Sequence, residues 1–196
     1  MLSLHDESYR LFVAVFGDGV GADCVAQQAG ELDTTFADQG KLVITTLGPV
    51  TDIQVDDLGR IYALSSSNGV WALMRLSSSS GELDTNFADQ GILSSTTALI
   101  RVLVQSDRRL ILLSGQGGAG VIRRFDENGA PDTTYATLGQ FVLPPATSIH
   151  DGDLLANDEL LICGDSATTW SSVYRAFVIR LDMDGIWILD SPMTVG

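Results

Sequence analysis

The sequence predicts an all-β fold, and two observations predict it. A block of eleven residues recurs along the chain with short apolar segments between its copies, and the residues that separate those segments are turn formers rather than helix formers. Of the 196 residues, 20 are Gly, 20 Asp and only five Glu, with ten Arg and a single lysine, Lys41. Glu and Lys favour exposed helix surfaces, whereas Asp, Gly, Ser and Thr bend the backbone through permissive dihedrals or side-chain hydrogen bonds to it. No long stretch carries apolar residues at helical spacing, so essentially no α-helix is expected.

The recurring block starts as Gly30-Glu31-Leu32-Asp33-Thr34-Thr35-Phe36 and returns as Gly81-Glu82-Leu83-Asp84-Thr85-Asn86-Phe87, the full eleven-residue copies differing at one position. A looser copy runs Gly129-Ala130-Pro131-Asp132-Thr133-Thr134-Tyr135, and a last register begins at Gly185, giving intervals of 51, 48 and 56 residues. Within the second unit the pattern predicts strands over 41–46, 51–55, 60–65 and 70–77, separated by turns such as Asp56-Asp57-Leu58-Gly59 and Ser66-Ser67-Asn68-Gly69. The third of these strands recurs near residues 10, 109 and 159, and the fourth ends on an arginine before an apolar residue in Arg75-Leu76, Arg124-Phe125 and Arg180-Leu181, while the first unit lacks that arginine. Four short antiparallel strands per unit at this period are the pattern of β-propeller blades. The whole chain, residues 1–196, is expected to be one such repeat domain.

The G-x-L-D-x-x-F-x-x-x-G block, followed by strands and an R-L-x-x-x-G ending, resembles the bacterial delta-60 repeat, a propeller-type repeat, over nearly the whole chain. The third copy departs from it at Pro131 and Tyr135, and the block is lost after Gly185 in Ile186-Trp187-Ile188. The resemblance implies a propeller and no defined chemistry. Four blades are expected, closed into a ring if residues 186–189 supply a strand to the N-terminal blade. The alternative is an open four-blade arc that pairs with a second copy, with 182–185 as a hairpin turn that lays 186–189 beside 176–181. Monomer and homodimer are the corresponding states.

The net charge of −14 argues against nucleic acid, whose affinity rests on cation clusters that displace counterions, and favours a protein or small ligand, cationic or neutral. Residues 1–9 have neither a basic start nor a long apolar run, and no apolar run approaches the length needed to cross a bilayer. A cytoplasmic location and no membrane partner are expected. Cys24 and Cys163, without C-x-x-C spacing, read as reduced buried thiols.

Asp33, Asp84 and Asp132 occupy one position of the block, so a propeller would bring them to one face, where a carboxylate ring can bind a cation or partner. The same residue before Thr-Thr or Thr-Asn is also what a turn needs, since its carboxylate accepts backbone N–H bonds two or three residues on. Phe36, Phe87 and Tyr135 read as wedges between blades. Trp170, in the longest insertion between the third and fourth strands of a unit, is a further candidate contact residue. Asp182-Met183-Asp184-Gly185 opens like a calcium loop but has Met193 where the bidentate Glu belongs, so it reads as a turn. His150 beside Asp151 suggests an acid/base pair only weakly, and no nucleophile, metal or cofactor signature is present, so neither a catalytic residue nor a cofactor is assigned. A non-enzymatic binding or protein-interaction module is the leading expectation. A carboxylate-based hydrolase or lyase acting on a small molecule or carbohydrate is the alternative.

Overall fold

The computed structural model describes residues 31–44, 47–115, 118–167 and 174–188. Contacts divide the chain into Met1–Glu31 and Leu32–Gly196, and every element below belongs to the second unit. The described residues are all-β: eleven strands in three antiparallel sheets and no helix. The first sheet is a meander of β1 (Val50–Val55), β2 (Ile61–Ser67), β3 (Val70–Leu76) and β4 (Ile92–Ser95); the second repeats it as β5 (Leu99–Val104), β6 (Leu110–Ser114), β7 (Val121–Phe125) and β8 (Gln140–Val142). The third contains β9 (Thr147–Leu154), β10 (Leu160–Ala167) and β11 (Tyr174–Leu181).

The grouping of strands differs from the sequence expectation in one respect. The repeat pattern groups the strand after each eleven-residue block with the strands that follow it, but β4 pairs with β3, and β8 with β7. The block itself is the reason. Asp84 N–H bonds back to the Arg75 carbonyl at 2.9 Å and Arg75 N–H to the Gly91 carbonyl at 3.1 Å, so the block is a wide turn that returns the chain alongside the strand it has just left. The segment near 41–46 is not a regular strand over its described part, where only Lys41 forms isolated bridges.

The sheets stack face to face, and this explains their continuous apolar runs. Side chains alternate across a strand, so Leu110 and Leu112 of β6 join Tyr62, Leu64 and Leu73 of the first sheet. Ile111 and Leu113 point the other way, into a cluster with Ile149, Leu160 and Ile162 of the third. Ala63, Met74 and Leu76 on the opposite face of the first sheet pack with Ile44 and Leu47. A strand buried on both faces cannot alternate apolar and polar residues, and Leu110–Ser114 is buried throughout. Successive first strands also lie together, β1 against β5 and β5 against β9.

The expected burial of Cys163 is not found: it is exposed on β10. Its neighbour Ile162 takes the covered face, which leaves Cys163 on the other. Cys24, the N-terminal strands, and the Trp170 insertion from 168 to 173 lie outside the described residues.

Candidate functional site

The three repeated aspartates all serve as turn acceptors. Oδ1 of Asp33, Asp84 and Asp132 accepts the N–H of Thr35, Asn86 and Thr134 at 3.0, 3.1 and 3.0 Å. Two of them do more. Asp84 Oδ2 receives Arg75 Nε at 2.9 Å, and Asp132 Oδ2 receives Arg124 Nε at 2.8 Å. Both guanidinium groups are almost fully buried, lie 4.9 Å over the rings of Phe87 and Tyr135, and reach into the next repeat. Arg75 Nη1 donates to the Glu127 carbonyl and Arg124 Nη1 to the Met183 carbonyl, the latter at 2.6 Å. A backbone bond accompanies each, Ala88 N–H to the Asn128 carbonyl and Ala136 N–H to the Asp184 carbonyl, both at 2.8 Å. Arginine, aspartate and aromatic ring of one repeat thus clamp the glycine-ended turn of the next.

The fourth register shows what happens without the acid. Ile188 stands where Asp84 and Asp132 stand, and its N–H still bonds to the Arg180 carbonyl at 3.3 Å. Arg180 pairs instead with Glu159, the residue just before the neighbouring strand β10. Asp182 Oδ1 accepts Asp184 and Ile186 N–H at 3.0 and 2.8 Å, so residues 182–185 form a turn, with Leu181 bridging to Trp187 across it.

These interactions also fix the charge state of the carboxyls. Burial works against ionisation of Asp84 and Asp132, but the turn N–H groups, the Asn86 and Thr134 side chains and the arginines outweigh it, and both carboxyls are held below the usual range. For Asp33 the Thr35 hydroxyl and N–H act in the same direction. A general acid needs the opposite displacement.

A second set of charged residues lies on the first strands. Each of these strands is irregular near its start, between Val50 and Asp52, between Leu99 and Arg101, and around His150 of β9. Such bulges re-aim side chains, and the residues that follow form a ladder from sheet to sheet. Asp52 Oδ2 accepts Val102 N–H at 2.8 Å, while Arg101 lies 3.9 Å from Asp52 and 3.3 Å from Asp151. The exposed His150 pairs not with Asp151 but with Asp165 across the sheet, Nε2 to Oδ2 at 2.6 Å. Among the described residues no three His, Cys, Asp or Glu side chains gather as a metal site.

The third feature is a cleft of about 340 Å3 between the first and second sheets. Leu93, Leu112 and Phe125 line it, together with residues 94–97, which are two serines and two threonines, and Arg123. Arg123 is half-buried, and among the described residues its side chain has neither an ion pair nor a hydrogen bond.

No family model matches the chain, and no curated protein matches it. No helix among the described residues is long and apolar enough to cross a membrane.

Proposed function

We propose that the chain is a propeller-type repeat scaffold, of the delta-60 kind that its blocks resemble, and that it works as a non-enzymatic binding module. Three stacked antiparallel meanders with neighbouring first strands support the propeller reading. In that architecture the first strands surround the axis, and four blades in one chain, or paired arcs, complete the ring. Sedimentation of the full chain separates the two, a monomer for the closed ring and a dimer for the arcs.

The observation that carries the binding reading is the ladder Asp52–Arg101–Asp151 with the adjoining His150–Asp165 pair. It sets carboxylates in excess of cations across three sheets, on a frame whose repeated Arg–Asp pairs hold it rigid. A rigid acidic surface of that kind suits a cationic or neutral protein partner, which it steers electrostatically. Partner capture by the full chain tests this. A partner held by the wild type should be lost by an Asp151→Asn, Asp165→Asn variant and should associate more slowly as salt rises. Capture unchanged by both perturbations would refute the acidic-surface reading.

A further inference from the structure

The repeats are nearly interchangeable where sheets pack, and one junction departs from them. Strand pairing puts Arg123 opposite Leu112, Met74 opposite Ala63 and Ile179 opposite Ile162, each one residue before the arginine of its unit. Met74 packs in the cluster on the far face of the first sheet, and Ile179 packs against the cluster between the second and third sheets. Arg123 faces the junction of the first and second sheets from the same position. A second departure lies across from it. Leu143 follows β8 and is buried in the second–third junction, and Ile44 packs at the far face of the first sheet. The matching residue beside Arg123 is Ser95. Two large apolar side chains are therefore replaced by a small hydroxyl and a cation, and the space that results is the cleft.

A structural arginine in this protein finds an acid: Arg75, Arg124 and Arg180 each have one. With 25 acidic side chains in the sequence, an arginine in a half-buried apolar cleft without such a partner is an exception. Leaving a cation partly desolvated costs free energy that a ligand anion recovers. The rest of the lining supplies an apolar body site in Leu93, Leu112 and Phe125 and hydroxyls in residues 94–97. The volume is at the lower end of that of small-molecule sites, roughly 300–1,000 Å3. The net charge of −14 disfavours polyanions.

We propose that the cleft between the first and second sheets binds a compact monocarboxylate with an apolar body, its carboxylate on the Arg123 guanidinium. This site is separate from the acidic ladder and stands or falls independently of it. Calorimetric titration of the full chain with benzoate, its neutral isostere benzamide and inorganic phosphate tests the proposal. Benzoate should bind saturably and at least about tenfold more tightly than either of the others. Arg123→Met, which restores the residue type at position 74, should remove that preference without lowering the melting midpoint. Ser95→Leu, which restores the residue type at position 143, should fill the cleft and abolish benzoate binding in a folded protein. The proposal is overturned if benzoate shows no saturable binding, if benzamide or phosphate binds as well, or if Arg123→Met keeps the preference. A lowered midpoint for Arg123→Met would also overturn it, by making Arg123 a packing residue.

Discussion

Removing the Asp84 carboxylate isolates the energetics of the clamp. In Asp84→Ala the Arg75 side chain, 2% exposed, loses its acidic partner and keeps the Glu127 carbonyl, the Tyr62 hydroxyl and the Phe87 ring. Breaking a buried pair by deleting one member costs about 3–5 kcal/mol, because the remaining charge stays desolvated. Asp84 itself is 23% exposed, which lets water reach the vacated position and puts the expected loss near the low end, about 3 kcal/mol, with the lost turn acceptor included. With a urea dependence of about 2 kcal/mol per molar, the unfolding midpoint should fall by about 1.5 M. Asp33→Ala, which removes only local bonds to Thr35, should move the midpoint far less. The double variant Arg75→Met, Asp84→Ala should be more stable than Asp84→Ala alone, since an apolar pair tolerates the site better than a stranded cation. Urea titrations of the wild type, Asp84→Ala, Arg75→Met and the double variant, followed by tryptophan fluorescence and strand circular dichroism, give the coupling energy, with Asp33→Ala titrated beside them. A coupling below about 0.5 kcal/mol, or equal shifts for Asp84→Ala and Asp33→Ala, would refute the reasoning.

The ring beneath each guanidinium makes further predictions. Phe87 is fully buried and meets Tyr62 edge to face at 5.9 Å, so Phe87→Ala should cost about 3–5 kcal/mol in the same titration. The Tyr135 hydroxyl is buried without a hydrogen-bond partner among the described residues, and burial pushes its titration upward. Tyr135→Phe should therefore leave the midpoint unchanged or raise it. Gly185 and Gly69 share a φ of +78°, but a Cβ at Gly185 would lie 2.5 Å from the Tyr135 ring whereas nothing lies within 4 Å at Gly69. Gly69→Ala should cost about 1–2 kcal/mol of strain, and Gly185→Ala about 1–3 kcal/mol more from the clash; equal melting shifts would contradict this packing. Asp84 and Asp132 titrate lower in the folded than in the unfolded chain, so their stabilisation is complete above the unfolded value of 3.8 and is lost as pH falls below it through the folded values. Melting midpoints should accordingly decline below about pH 4, and Asp84→Ala should flatten that decline.

The strands were readable from the sequence because apolar runs and Asp/Gly turns mark them locally, and β1, β2 and β3 fall within two residues of the expected bounds. Their pairing was less readable. Whether β4 joins the strand before or after it depends on how the Asp84 block turns, and that is decided by the bonds between Arg75 and the block. The wedge positions of Phe87 and Tyr135 emerged from repetition alone. The clamp arginines were visible as a repeated Arg-apolar pair, but their acceptors, Asp84 and Asp132, lie nine and eight residues on, and the Glu127 and Met183 carbonyls lie in the next repeat. No local pattern connects such distant groups.

Arg123 is not legible in the sequence for a different reason. In isolation Arg123-Arg124 is an unremarkable basic pair, and its meaning appears only when the two residues are assigned to opposite faces of β7. Arg124 then takes the place that Arg75 holds, while Arg123 takes that of Met74 and Ile179. Repetition selects for whatever lets one sheet pack on the next, so a residue that recurs in every unit is first accounted for by the junctions it makes. Asp84 and Asp132 are accounted for in this way, down to the oxygen atoms that each arginine occupies. A ligand at those oxygens has to displace a guanidinium, whereas among the described residues no side-chain partner occupies the Arg123 guanidinium. Departures from the repeat are therefore the sharper guide to where a ligand could enter, and the junction where Ser95 and Arg123 stand in place of Ile44 and Met74, or of Leu143 and Ile179, is the one that holds the cleft.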